Sequence, residues 1–207
     1  MSTLFLIRHA ESQANKDRIL GSRLPVPLTP AGKADADLIA SQLKELTELD
    51  RIISSPVRRA LETADSFRVV FNLPVREDER LSEQELGDFS GVSYDDLDSL
   101  EGYEPDTMAR WNWVPRGGGE SYSMIADRVT SFFSSLEAFP PDEKILIVTH
   151  AVTFRLIRAF LENTLPRYPK HFPNNGEIWK VEYPGTGRPC RIESLFLGNS
   201  RDFIHNP

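Results

Sequence analysis

Thr3-Leu4-Phe5-Leu6-Ile7-Arg8-His9-Ala10-Glu11-Ser12 opens the chain with an apolar run that stops abruptly on charge. The run Leu4 to Ile7 reads as a buried strand and is far short of the roughly 20 residues a membrane span needs. Open α/β sheets collect their ligands outside the carboxyl ends of strands, and that is where Arg8 and His9 fall. Two later segments repeat the pattern. Arg51–Ser54 runs into Ser55-Pro56-Val57-Arg58-Arg59, and Lys144–Thr149 runs into His150. If these strands are neighbours, two histidines and at least two arginines face one crevice.

A helical pattern follows each strand. Thr29 and Pro30 form an N-cap and first-turn pair, opening a helix expected to bury Leu38, Ile39, Leu43 and Leu46. Ser55 and Pro56 repeat that device for a helix through Phe67. A third amphipathic helix spans about Ser121–Phe139, and Ala151–Leu161 places Val152, Leu156, Ile157 and Phe160 at helical spacing. Two late strands, Ile178–Tyr183 and Arg191–Leu197, flank Pro184-Gly185-Thr186-Gly187 and read as a hairpin or edge pair. Alternating strands and helices predict an α/β fold with a largely parallel sheet covered on both faces, made mixed by the late pair.

The chain has 207 residues, with 24 Lys and Arg against 31 Asp and Glu for a net charge of −7. That length and composition fit one globular domain over 1–207, with no repeat or long linker. The acidic balance argues against non-specific nucleic-acid binding, and the expectation is no nucleic acid and no membrane partner. Any bound anion must then meet a local cluster of positive charge. Cys190 is the single cysteine and cannot form an internal disulfide, and no signal peptide is visible, so the expected compartment is the cytoplasm.

Guanidinium forks and imidazole suit a phosphate dianion and the charge of a transferring phosphoryl group. Arg8, Arg59 and His150 would form such a cradle. Neighbouring arginines disfavour imidazolium, so His9 is expected to stay neutral and nucleophilic, with its other nitrogen held by an unnamed acceptor. The leaving alkoxide needs a proton from a carboxylic acid, and Glu11, Glu62 and Glu83 all remain open on spacing alone.

Arg8-His9-Ala10-Glu11-Ser12 with Asn15 resembles the signature of the histidine phosphatase superfamily, in its phosphoglycerate mutase-like branch. Leu28-Thr29-Pro30-Ala31-Gly32 follows in family order, then Ser54-Ser55-Pro56-Val57-Arg58-Arg59-Ala60 with Thr63-Ala64. Leu81-Ser82-Glu83 with Gly87 and Gly91, Gly118-Gly119-Glu120-Ser121, and Val148-Thr149-His150 complete the set. The resemblance implies a three-layer α/β/α fold with a central, mostly parallel mixed sheet. It makes His9 the phosphorylated nucleophile, Arg8 and Arg59 the phosphate-binding arginines, His150 the second histidine and Glu83 the proton donor. Asn15, Gly21 and the backbone of Ala151 would line the phosphate pocket, with Ala151 a mild departure from the usual glycine. No metal and no cofactor is implied.

The expected function is a metal-independent phosphomonoesterase working through a phosphohistidine. The alternatives are a cofactor-dependent phosphoglycerate mutase and a non-catalytic phosphate-binding module. Substrates would be small phosphorylated metabolites or a phosphoprotein, and the late strands and the lid are the segments through which a homodimer could form. The lid is the insertion around 84–117. It carries eight acids (Glu85, Asp88, Asp95, Asp96, Asp98, Glu101, Glu104, Asp106) and two arginines (Arg110, Arg116). Acids facing the pocket would repel a polyanionic substrate. Met108, Trp111 and Trp113 belong either to a core patch or to that lid.

Other features take plainer readings. Arg58 should meet solvent or an acid, while Glu11 and Glu62 should orient neighbours. Gly117-Gly118-Gly119 lacks the Gly-Lys-Ser/Thr of a nucleotide loop and reads as a turn before a helix. His171 and His205 lack a metal-like spacing and should be surface residues.

Overall fold

The structure is a computed structural model and describes residues 1–198, so His205 lies outside the described residues. Six strands form one sheet: β1 (Ser2–Arg8), β2 (Arg51–Ser54), β3 (Val75–Glu77), β4 (Lys144–Thr149), β5 (Ile178–Tyr183) and β6 (Arg191–Phe196). Their spatial order is β3-β2-β4-β1-β5-β6. The first four in that order run parallel, whereas β5 is antiparallel to β1 and β6 to β5. The sheet is therefore mixed, as the two late strands predict. Only β3 has no counterpart in the sequence reading, because a three-residue edge strand has no periodicity to detect.

Alternating side chains send the central strands into two cores. Leu4 and Leu6 of β1 with Ile145 and Ile147 of β4 pack beneath α4 (Tyr122–Leu136) and α5 (Ala151–Leu161). Phe5, Ile7, Leu146 and Val148 point the other way, beneath α2 (Pro30–Leu46) and α3 (Arg58–Phe71). Successive residues of β1 and β4 thus bury on opposite faces of the sheet, which is what places helices on both sides of it. Among the described residues no helix is long and apolar enough to cross a membrane.

Several helix expectations need correction. Helix α2 turns Gly32, Ala36, Ala40 and Leu43 inward, while Leu38 and Leu46 stay 57% and 64% exposed. Small residues at the i, i+4 and i+8 positions let the helix settle close to the sheet, a choice that ranking by hydrophobicity misses. Helix α3 begins at Arg58 with Val57 at its N-cap, because Ser55 is engaged elsewhere, and it runs on to Phe71 before Asn72 ends it in a left-handed conformation. Helix α4 has the expected Ser121 cap, whose oxygen accepts from the Met124 amide, but stops at Leu136, ahead of Pro140-Pro141.

The ends of β1, β2 and β4 converge at one edge of the sheet. Over them lies the segment 84–117, which contains two short 3-10 turns, Gly87–Phe89 and Tyr94–Ser99. Its apolar side chains gather with Leu20 into a small cluster of Leu86, Phe89 and Leu97, against which Tyr103 and Trp113 pack. Trp111 and Met108 separate from that group: Trp111 packs on the main core, while Met108 is 43% exposed.

Candidate active site

A cavity of about 300 Å³ opens at the carboxyl ends of the parallel strands. Arg8, His9, Asn15, Gly21, Arg59, Glu83 and Ala151 line it together, so seven of the eight residues expected at the site meet there. His150 is the eighth. It is wholly buried just behind, its ring 5.1 Å from that of His9 between centroids.

The backbone of His9 is held where β1 ends. Its amide donates to the Thr149 carbonyl at 2.9 Å, and its own carbonyl accepts from Asn175 Nδ2 at 3.0 Å. The ring Nδ1–H donates to the Ala10 carbonyl at 2.7 Å, which supplies the acceptor that spacing could not name. That bond fixes the tautomer and leaves the Nε2 lone pair toward Arg59, whose Nε donates to it at 3.0 Å. Burial first, and then the charges of Arg59 and Arg8, hold the His9 pKa well below its ordinary 6.5. The ring is neutral at pH 7, as a nucleophile must be.

Helix α3 delivers Arg59 and, one turn later, Thr63. Thr63 Oγ1 accepts from the Ala10 amide at 3.1 Å and donates to the Arg59 carbonyl at 2.8 Å, tying the helix to the loop beyond His9. The Arg59 guanidinium also donates to the Ser22 carbonyl at 2.6 Å. Burial lowers its pKa to about 10, with Glu83 opposing that and Arg8 adding to it, so it remains cationic at neutral pH. Arg8 donates through Nη1 to the Pro173 carbonyl at 2.7 Å. Gly21 sits where a Cβ would lie 3.2 Å from Ala14 Cβ and in ordinary contact with Arg59 Nη1 at 3.6 Å, so a side chain there would press on Ala14.

His150 is oriented by Ser55, whose Oγ lies 2.7 Å from Nε2. Ser55 Oγ also accepts from the Val57 amide at 3.2 Å, so it ties His150 to the start of α3. The other ring nitrogen, Nδ1, is buried with no hydrogen-bond partner among the described residues. Burial, followed by the charge of Arg59, depresses this pKa as well.

Glu83 follows a turn that β4 and α5 hold from beneath. Thr149 Oγ1 donates to the Leu81 carbonyl at 2.7 Å and Thr153 Oγ1 to the Ser82 carbonyl at 2.6 Å. The carboxylate accepts from the Gln84 amide at 2.9 Å and the Val152 amide at 3.3 Å. Arg23 and Arg128 both donate to Glu120, at 2.6 and 3.1 Å, and both reach the Glu83 carbonyl. The acid of Gly118-Gly119-Glu120 thus joins the loops around Glu83. The other carboxylates have separate tasks. Glu11 accepts from Thr29 Oγ1 at 2.7 Å, and Glu62 pairs with Arg58 at 2.7 Å and accepts from the Leu28 amide at 2.7 Å.

Sequence reading missed two parts of this arrangement. Ser55 reads from the sequence as a helix cap, and no sequence signal ties the loop 173–177 to the site. That loop grips Arg8 through Pro173 and the carbonyl of His9 through Asn175, which also donates to Asn15 Oδ1 at 3.2 Å. Asn174-Asn175-Gly176 signals a turn, but nothing in it points to residues 160 positions earlier. The lid acids follow the plainer reading of a surface outside the cavity lining, and the side chain of Asp98 lies outside the described residues. Glu85, Asp88, Asp95, Asp96, Glu101, Glu104 and Asp106 do not line the cavity, whereas Arg18, Tyr94, Tyr103 and Arg110 do. His171 is exposed, and among the described residues no group of three or more His, Cys, Asp or Glu side chains could hold a metal ion.

The sequence profile of the histidine phosphatase superfamily (branch 1) matches residues 4–194. The chain is 32% identical over 165 residues to phosphoserine phosphatase 1 of Hydrogenobacter thermophilus, covering 78% of this chain and 76% of that one. It is 29% identical over 180 residues to the adenosylcobalamin/alpha-ribazole phosphatase of Escherichia coli, covering 86% and 88%. Among solved structures, the mycobacterial glucosyl-3-phosphoglycerate phosphatase in complex with VO3 superposes with a TM-score of 0.82 at 24% identity, over 95% of this chain and 99% of that one. At that identity the superposition speaks for the fold, and the profile speaks for the family. Because the profile spans nearly the whole chain and the sheet is the one these enzymes use, the protein belongs to the histidine phosphatase superfamily, branch 1.

Proposed function

We propose that the protein is a phosphomonoesterase that hydrolyses small phosphorylated metabolites through a phosphohistidine at His9, without a metal ion. The observation that carries this reading is the fixed tautomer of His9, whose Nδ1–H is held by Ala10 while Nε2 stays neutral beside Arg59. In the first step Nε2 attacks phosphorus and the bond to the ester oxygen breaks. Arg8 and Arg59 neutralise the phosphoryl oxygens, and Arg59 turns its Nε from His9 to the incoming anion. The imidazole of His150 is the further group assigned to that charge. Glu83 gives its proton to the leaving alkoxide, then takes one from the water that attacks phosphohistidine, and inorganic phosphate leaves.

The segment 84–117 is read as the lid that shapes the alcohol side of the pocket. The relatives named above are phosphatases, which supports water as the acceptor. The single cysteine supports a reducing compartment such as the cytoplasm. Rapid quench with a 32P-labelled phosphomonoester should give an acid-labile, alkali-stable adduct on His9. The His9→Ala protein should lose kcat by roughly 10⁴-fold or more. Turnover that survives this substitution refutes the mechanism, and strict dependence on 2,3-bisphosphoglycerate in a coupled assay would make the protein a mutase.

A further inference from the structure

The loop 173–177 leads into β5, which is antiparallel to β1, so it runs back along the end of β1. Its backbone extends that pairing. The Arg8 amide donates to the Glu177 carbonyl at 3.2 Å, and the Gly176 amide is shared between the carbonyls of Arg8 at 3.1 Å and His9 at 3.4 Å. Glu177 closes the turn on itself, its carboxylate accepting from the Asn174 amide at 2.8 Å and from Trp179 Nε1 at 2.5 Å. These contacts set Asn175 beside the nucleophile with only 3% of its surface exposed.

The two ends of the Asn175 amide fare differently. Nδ2 donates to the His9 carbonyl at 3.0 Å and to Asn15 Oδ1 at 3.2 Å. Oδ1 is buried and has no hydrogen-bond partner among the described residues. Turning the amide over would set its oxygen against two acceptors. What Nδ2 holds therefore fixes the orientation, although it leaves a buried carbonyl oxygen unsatisfied. Asn15 is determined in the same way. Its Oδ1 accepts from the Ser12 amide at 3.1 Å and Ser12 Oγ at 2.9 Å as well as from Asn175. With that oxygen held by three donors, Nδ2 is the end of the Asn15 amide left for an anion, and Asn15 lines the cavity beside Arg8 and His9.

We propose that Asn175 is a positioning residue for phosphoryl transfer: anchored on the His9 carbonyl, it holds the Asn15 amide with its N–H groups toward the transferring phosphoryl group. Asn175 itself touches neither substrate nor reacting atoms and acts through Asn15. This assignment rests on the phosphatase reading and adds to its machinery a residue 166 positions from the nucleophile. A donor fixed before charge develops on the phosphoryl oxygens needs no reorganisation during the reaction, so the effect belongs in kcat more than in KM.

A double-mutant cycle read on p-nitrophenyl phosphate tests it. Asn175→Ala should lower kcat roughly tenfold while KM changes less than about threefold. In an Asn15→Ala background the same substitution should cost less than about threefold, because the group it positions is already gone. Asn175→Leu repeats the cycle at nearly the native volume, so that a void at this position does not carry the result, and a urea titration reports that each variant is folded. Equal losses with and without Asn15, or a loss confined to KM, overturn the positioning role while leaving a phosphatase. Failure of both Asn175 substitutions to fold would make the residue structural and overturn the role as well. No turnover of p-nitrophenyl phosphate, phosphoserine or glycerol 3-phosphate by the wild-type protein overturns the phosphatase reading and this inference together.

Discussion

The hydroxyl of Ser55 sits between two duties, accepting from the Val57 amide and bonding His150 Nε2. Because His150 is fully buried, removing that oxygen leaves a ring nitrogen with nothing to replace it. Ser55→Ala should destabilise the fold by about 1–3 kcal/mol and free the imidazole to reorient. We expect kcat/KM to fall about tenfold, equivalent to 1.4 kcal/mol in the barrier, with KM changing less than kcat. Steady-state kinetics beside a urea titration check both, and an unchanged kcat would remove the positioning role of Ser55. At this scale the motif Ser54-Ser55-Pro56 was legible as important, but its local reading as a cap was displaced by a partner 95 residues away.

Helix α2 never enters the cavity, yet its first turn braces the loop that follows His9. Thr29 caps the helix by accepting from the Gly32 amide at 2.9 Å, and it donates to the Glu11 carboxylate. Gly32 packs so closely that a Cβ there would lie 2.1 Å from the Glu11 carbonyl oxygen. Both contacting groups are backbone, so neither can swing aside. Gly32→Ala should therefore cost about 1–3 kcal/mol through overpacking and push Glu11 and the preceding loop away from α2. A lowered urea midpoint with an unchanged m-value is the expected signature, accompanied by lost activity. An alanine variant as stable as the wild type would show that the loop has slack. The start of α2 was legible in Thr29-Pro30, because capping chemistry is local. Its buried face was not, because the sheet selected Ala36 and Ala40 over Leu38 for closeness of approach.

For the whole molecule, folding forces two imidazoles into a site where burial and neighbouring arginines oppose their charge. Unfolded, each has its ordinary pKa of 6.5, so below that pH the unfolded chain binds protons that the native state refuses. Native stability contributed by these groups is intact above 6.5 and is lost as pH falls below it. Melting temperature should fall between pH 7 and 5, and the fall should be smaller in a His9→Gln protein, which removes one refused proton. Equal slopes in the two proteins would show that His9 protonates freely in the native state. The sequence by itself determined the alternation of strands and helices, the mixed sheet and the chemistry gathered at three strand ends, since periodicity, caps and motifs act over a few residues. Tertiary structure alone decided that Ala10 fixes the His9 tautomer, that Asn175 reaches His9 across 166 positions, and that Arg110 rather than the lid acids faces the cavity. Those outcomes depend on which distant backbone groups and charges packing brings together, and local spacing holds no record of that.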